Sequence, residues 1–295
     1  MRSRMASLAL NAKIKLPSGY EIPQLGFGVY QTPPKDTETV VNEAFAVGYT
    51  HIDSAAAYYN EAACGKAIRK SGLPREQIFF TSKVPPRALG YQTAKNQVEK
   101  SLTESGLEYI DLMLIHAPYG GSAGRKGAWK ALVEAVEAGK VRSIGVSNYG
   151  VQHLDELEKH IAELEAERGG PGKGGVLSVG QWEIHPWCAR SDIAEWCAKR
   201  GVAVEAYSPL VRGRRWGEPT LKKLAGKYGK SEAQVLVRWS LQKGYIPLPK
   251  SVNAERIRDN ADVYDFELTL EEVAELESDE YAPVAWDPTT SPLDA

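Results

Sequence analysis

With 43% apolar and 25% charged residues, a chain of 295 residues has ample material for a core, which excludes wholesale disorder. A net charge of −2 gives no electrostatic case for a nucleic-acid partner, so any basic site must be local. Cys64, Cys188 and Cys197 are an odd number without C-x-x-C spacing, so neither a disulfide framework nor a metal site is expected.

The start, Met1-Arg2-Ser3-Arg4-Met5, is basic, but Lys13 ends the apolar stretch behind it too soon for the apolar region of a signal peptide. No segment approaches the ~20 apolar residues that cross a bilayer. A cytoplasmic protein without membrane contact is expected, with an organellar presequence as the alternative. Residues 1–24 read as an N-terminal β-hairpin: Lys15-Leu16-Pro-Ser-Gly-Tyr20-Glu-Ile22 turns at Ser18-Gly19 and could plug a barrel floor.

Eight short apolar runs follow, around Leu25 to Val29, Thr50 to Asp53, Ile78 to Thr81, Leu112 to Ile115, Ser143 to Val146, Val176 to Val179, Val202 to Ala206 and Tyr245 to Leu248. Between them lie stretches of helical periodicity, such as Val98, Leu102 and Leu107, with glycines near their ends. Strand and helix alternating eight times predict an α/β fold, a (β/α)8 TIM barrel with extra C-terminal helices and loops, as one domain over residues 1–295. Residues 168–175, Arg-Gly-Gly-Pro-Gly-Lys-Gly-Gly, read as a flexible loop inserted before the sixth strand. His51 is read as structural, His153 and His160 as helix surface, and His185 as undecided.

In such a barrel the reactive groups follow the C-terminal ends of the strands. Asp53 ends the second run, Lys83 follows the third and His116 ends the fourth, one βα unit of ~30 residues apart, while Tyr58 can fold back from the loop after Asp53. Taken singly each is more often structural, but ionisable groups converging on one rim are what an active site requires. A phenol is a weak acid with a pKa near ~10, and a cationic Lys83 beside Tyr58 is expected to lower it.

His51-Ile-Asp53-Ser-Ala-Ala-Ala-Tyr58, Lys83 and Leu114-Ile-His116-Ala-Pro118 resemble the Asp, Tyr, Lys and His positions of the aldo-keto reductases. The likeness continues through Gly145-Val-Ser147-Asn148-Tyr149, Gln181, Ala206-Tyr207-Ser208-Pro209-Leu210 and Ile246-Pro-Leu-Pro-Lys250-Ser251-Val252 to Arg256 and Asn260. It implies an NADPH-dependent reductase of aldehydes and ketones, with Tyr58 as proton donor, Lys83 held by Asp53, and His116 orienting the carbonyl. Ser147, Asn148 and Gln181 would hold the nicotinamide carboxamide and Tyr207 would stack under the ring. Gly28, Val29, Tyr30, Asp53, Ser208 and Leu210 would border the cofactor. Lys250, Ser251, Val252 and Arg256, behind the helix cap Asn253, would take the 2′-phosphate, and Asp259 and Asn260 the adenine. The chain departs from the common pattern at Val211-Arg212-Gly213-Arg214-Arg215-Trp216, whose arginines either clamp the diphosphate or form a solvated loop.

For the substrate, Ala117 beside His116 implies a wide pocket, with walls from Tyr30, Tyr59 and Trp216 and from Trp286 in a tail, residues 279–295, that covers it. The expected partner is a small carbonyl compound, and the expected assembly a monomer or weak oligomer. Two other readings stay open: an NADPH-binding regulatory barrel with little turnover, as potassium-channel β subunits resemble this family, and a phosphate-binding barrel isomerase or lyase.

Overall fold

The computed structural model describes residues 8–295; the basic start lies outside them. β1 (Lys13–Lys15) and β2 (Glu21–Pro23) pair antiparallel across a turn in which the Leu16 carbonyl accepts from the Gly19 amide. Leu16 and Ile22 of this hairpin pack on Phe79, Leu112, Leu114, Val179 and Ile246, so the hairpin supplies the apolar plug of the barrel interior.

Eight parallel strands follow, each leading to at least one helix: β3 (Phe27–Gly28) to α1 (Pro34–Val47), β4 (His51–Asp53) to α2 (Glu61–Lys70), and β5 (Phe79–Val84) to α3 (Tyr91–Ser105). β6 (Ile110–Ile115) leads to α4 (Gly121–Glu137), β7 (Val141–Ser147) to α5 (Val151–Arg168), and β8 (Leu177–Glu183) to α6 (Ser191–Ala198). β9 (Ala203–Tyr207) precedes α7 (Pro219–Tyr228) and α8 (Glu232–Gln242), and β10 (Ile246–Leu248) precedes α9 (Ala254–Ala261) and α10 (Leu270–Leu276). Every residue of β5, β6 and β8 is buried, because the helices cover the outer face and side chains fill the inner one.

β3 and β10 close the ring through the Gly26 amide to the Pro247 carbonyl, 3.1 Å, and the Gly28 amide to the Pro249 carbonyl, 3.0 Å. A Cβ at Gly26 would stand 2.5 Å from Leu248 Cδ2 and 2.7 Å from His51 Nδ1, so these two packed side chains would have to move to admit one.

Three expectations are corrected. His153 and His160 are buried, not on the surface: His153 Nδ1 accepts from the Gly150 amide, and His160 Nε2 shares a hydrogen with Ser122 Oγ. Arg168 is the last residue of α5, and the turn behind it is tied down, with Trp129 Nε1 donating to the Gly174 carbonyl and the Gly172 amide to Glu165. The sixth barrel strand starts at Leu177, leaving Val176 exposed.

Candidate active site

Parallel register sets the site: Asp53 lies opposite Thr81 on β5, and Lys83 opposite Leu114 on β6, two residues before His116. Lys83 Nζ reaches both Asp53 oxygens, at 2.9 and 2.7 Å, and the Ser54 carbonyl at 2.8 Å. An ammonium has three hydrogens, so all are taken. Tyr58 ends a single turn of 3-10 helix, with its ring 5.2 Å from Lys83 Nζ, 5.8 Å from the His116 ring and 4.9 Å from the Tyr30 ring.

The electrostatics correct one expectation. Tyr58 is held well above the usual phenol value, by burial first and then by the charges of Asp53, Tyr30 and Glu205. The Lys83 charge opposes this rise without cancelling it: Asp53 and the Ser54 carbonyl take the ammonium hydrogens, and among the described residues Lys83 donates none to the Tyr58 hydroxyl. Burial pushes the Asp53 carboxyl above its ordinary range, with Lys83 opposing and Glu205 adding to the rise. Burial and the Lys83 charge push His116 down to about 3, so it is a neutral imidazole at pH 7.

Below this cluster Ser147, Asn148, Gln181 and Tyr207 form a bonded floor. The Ser147 hydroxyl donates to the Gln181 carbonyl, and Asn148 Nδ2 donates to the His116 carbonyl and Ser147 Oγ. Tyr207 donates to Asn148 Oδ1 at 2.8 Å, and Gln181 Nε2 to Asp53 and Glu205, each at 2.8 Å. The left-handed backbone of Asn148, φ 62°, turns its amide into this network.

Asp53, Tyr58 and His116 of the cluster and the whole floor line a cavity of about 790 Å³, together with Gly28, Tyr30, Ser208, Leu210, Lys250 and Trp286, while Lys83 lies buried behind them. A second lobe of about 720 Å³ shares Leu210, Arg212 and Lys250 with the first and adds Ser251, Val252, Arg256, Asp259, Asn260 and Trp216. Asn253 caps α9, its Oδ1 accepting from the Arg256 amide at 2.9 Å. Among the described residues no carboxylate pairs with Lys250 or Arg256, and burial lowers Lys250 from the usual lysine value.

The tail reaches the catalytic cavity through Val284, Ala285 and Trp286. Buried Glu183, at the end of β8, accepts the Val284 and Ala285 amides, at 2.6 and 2.9 Å, and shares a hydrogen with His185. Arg190 donates to Asp287, Thr289 and Tyr281, tying the next residues of the tail. The Trp286 ring therefore stands edge-to-face with His116 at 5.8 Å.

Of the cofactor and substrate candidates, Val29, Tyr59 and Ala117 line neither lobe, and Trp216 borders the second alone. Val29 is wholly buried in the core, and Tyr59 points outward, 67% exposed, against Arg87. Ala117 is wholly buried off the cavity wall, so it does not widen the pocket; the bulk beside His116 is supplied by Trp286. Of the three arginines, Arg212 lies over the Tyr30 ring where both lobes meet, Arg215 pairs with Glu218 and Glu280, and Arg214 is exposed. Sequence reasoning passed over Glu183 and Glu205. A carboxylate inside an apolar run that must be buried on both faces was the available signal.

Residues 24–279 match the profile described as the aldo/keto reductase family. An uncharacterized oxidoreductase of Schizosaccharomyces pombe is 40% identical over 289 residues, covering 96% of this chain and 100% of that protein. A glyoxal reductase of Bacillus subtilis is 40% identical over 271 residues, covering 92% of this chain and 93% of that one. The crystal structure of an aldo/keto reductase from Brucella melitensis superposes with a TM-score of 0.82 at 37% identity, covering 90% of this chain and 98% of that one.

Proposed function

The chain belongs to the aldo/keto reductase family, and from that premise we propose that it reduces small aldehydes to alcohols with NADPH, with Tyr58 as the proton donor. The observation that carries this reading is the Tyr58 hydroxyl: among the described residues it has no hydrogen-bond partner, and its ring borders the same cavity as neutral His116.

A phenol held above its usual value keeps its proton at neutral pH until a developing alkoxide takes it. The Lys83 charge, 5.2 Å from the ring and fixed by Asp53, then stabilises the phenolate left behind. His116 orients the carbonyl by a neutral hydrogen bond, and Trp286 walls the cavity beside it. Bound NADPH would supply the hydride.

The residues present fit that cofactor. Among the described residues Lys250 and Arg256 have no carboxylate partner beside a capped helix start, which suits a 2′-phosphate. The two lobes meeting at Leu210, Arg212 and Lys250 provide an elongated cleft for a dinucleotide. Trp286 and Tyr30 favour compact substrates, and the name of the Bacillus subtilis relative points to 1,2-dicarbonyls among them.

The test is spectrophotometric NADPH consumption against glyoxal, short aldehydes, aromatic aldehydes, sugars and ketones, with Tyr58→Phe beside wild type. Turnover in wild type and a kcat lower by about 10²–10⁴-fold in Tyr58→Phe are expected. NADPH binding without turnover of any carbonyl would favour the regulatory reading, and an unchanged kcat in Tyr58→Phe would remove Tyr58 from the mechanism.

A further inference from the structure

Glu205 is a wholly buried carboxylate facing the barrel interior from β9, directly opposite Gln181 on β8. Its Oε2 accepts from Gln181 Nε2 at 2.8 Å, and its Oε1 lies 3.3 Å from His51 Nε2. The same Gln181 nitrogen donates to Asp53 Oδ2 at 2.8 Å. A side-chain amide has two N–H hydrogens on one end and a carbonyl oxygen on the other. With one hydrogen on Asp53 and the other on Glu205, the amide can point only one way. Turning it over would set its oxygen against two carboxylates and take a donor from each, leaving Asp53 to Lys83 and Glu205 beside His51 alone, at a cost above that of an ordinary hydrogen bond.

The free end of Gln181 is therefore Oε1. Among the described residues no donor reaches it, it is absent from the sealed unpartnered atoms, and Gln181 borders the catalytic cavity. The neighbouring groups point the same way, because the Ser147 hydroxyl, both Asn148 amide hydrogens and the Tyr207 hydroxyl are all bonded within the protein. The floor beside Tyr207 thus offers acceptors to a ligand.

We propose that Glu205 is a positioning residue that, with Asp53, locks Gln181 with its oxygen toward the cavity, so that the floor selects a ring substituent carrying an N–H donor. This rests on the nicotinamide reading above: the carboxamide NH₂ is that donor, and Glu205 decides which way round the amide, and with it the ring, is held. Glu205 itself touches neither cofactor nor substrate.

The experiment titrates the protein with NADP+ and with its 3-acetylpyridine analogue, in which a methyl replaces the carboxamide NH₂, following tryptophan fluorescence. Wild type should bind NADP+ about tenfold more tightly, the effect of about one hydrogen bond. In Glu205→Gln the residue at 205 can both donate and accept, so Asp53 alone still opposes turning Gln181 over, and the inverted amide, which donates to the acetyl oxygen, becomes populated. The preference should then fall to about threefold or less. Glu205→Ala, which frees one amide hydrogen without adding an amide, should narrow the ratio in the same direction.

A tenfold preference persisting in both folded variants would overturn the role of Glu205. Equal binding of the two dinucleotides by wild type would overturn it without any variant, since an acceptor-only floor cannot treat them alike. Binding of neither would instead overturn the cofactor reading itself, and the proposal with it.

Discussion

Replacing Lys83 by methionine separates what the Lys83–Asp53 pair does for the fold from what it does for the reaction. The lysine is fully buried and the aspartate nearly so, and the substitution removes three donor contacts from acceptors at 2.7–2.9 Å while leaving the carboxylate inside the barrel. Breaking a buried pair from one side costs about 3–5 kcal/mol. At about 2.1 cal/mol/K of unfolding entropy per residue, a chain of this length should lose about 5–8 °C in Tm. The deficit should shrink on acidification. Without Lys83 the carboxyl value rises further above that of the unfolded chain, so the penalty is full above the raised value and vanishes as Asp53 protonates below it. Lys83→Met combined with Asp53→Leu removes both charges and should recover most of the Tm, because Gln181 keeps Glu205 as partner. Turnover should stay lower by about 10²-fold or more in both, since neither retains the cation that stabilises the phenolate. Calorimetry at pH 5 and 8 and steady-state kinetics on the three proteins provide the test. A Tm within about 1 °C of wild type in the single variant, or turnover restored in the double one, would refute the reasoning.

Lys250→Ala and Arg256→Ala should each raise the KM for NADPH by about tenfold or more while leaving that for NADH nearly unchanged, since a charged hydrogen bond contributes about 1.5–3 kcal/mol; equal changes in both would show that these cations do not read the phosphate. Trp286→Ala should widen the cavity beside His116 and improve kcat/KM for bulky aldehydes relative to small ones, and Glu183→Gln should do so more weakly by loosening the Val284 and Ala285 amides. Ala117→Trp, at a site with no exposed surface, should cost about 1–3 kcal/mol of stability through overpacking, and so lower the Tm, instead of altering selectivity. Folded His116 and His153 titrate at about 3 and about 4 against an ordinary value of 6.5, so the stability they contribute is present above 6.5 and lost as pH falls toward those values. Thermal midpoints should therefore begin to fall below pH 6.5, more gently in His153→Gln; a flat profile down to pH 4 would contradict the burial of both rings.

Asp53, Tyr58, Lys83 and His116 were legible in the sequence because βα units recur at a nearly fixed length, so polar residues ending successive apolar runs must reach one rim. The barrel was legible for the same reason: eight buried parallel strands leave eight apolar runs in the chain. Direction and partnership were not. Sequence spacing places Lys83 beside Tyr58 but does not say that Asp53 and the Ser54 carbonyl take all its hydrogens. Likewise, Ala117 is adjacent to His116 in the chain yet buried off the wall, while Trp286 comes from a segment 170 positions later to stand against the same ring. Adjacency along a strand alternates sides, whereas a tail is placed by whatever holds it, here Glu183 and Arg190. The sequence by itself thus determined the barrel and which polar residues meet at its rim, through short-range periodicity. Tertiary structure alone decided the orientation of Gln181, the state of Tyr58 and the wall beside His116, because each depends on which distant group takes a hydrogen bond or fills a space.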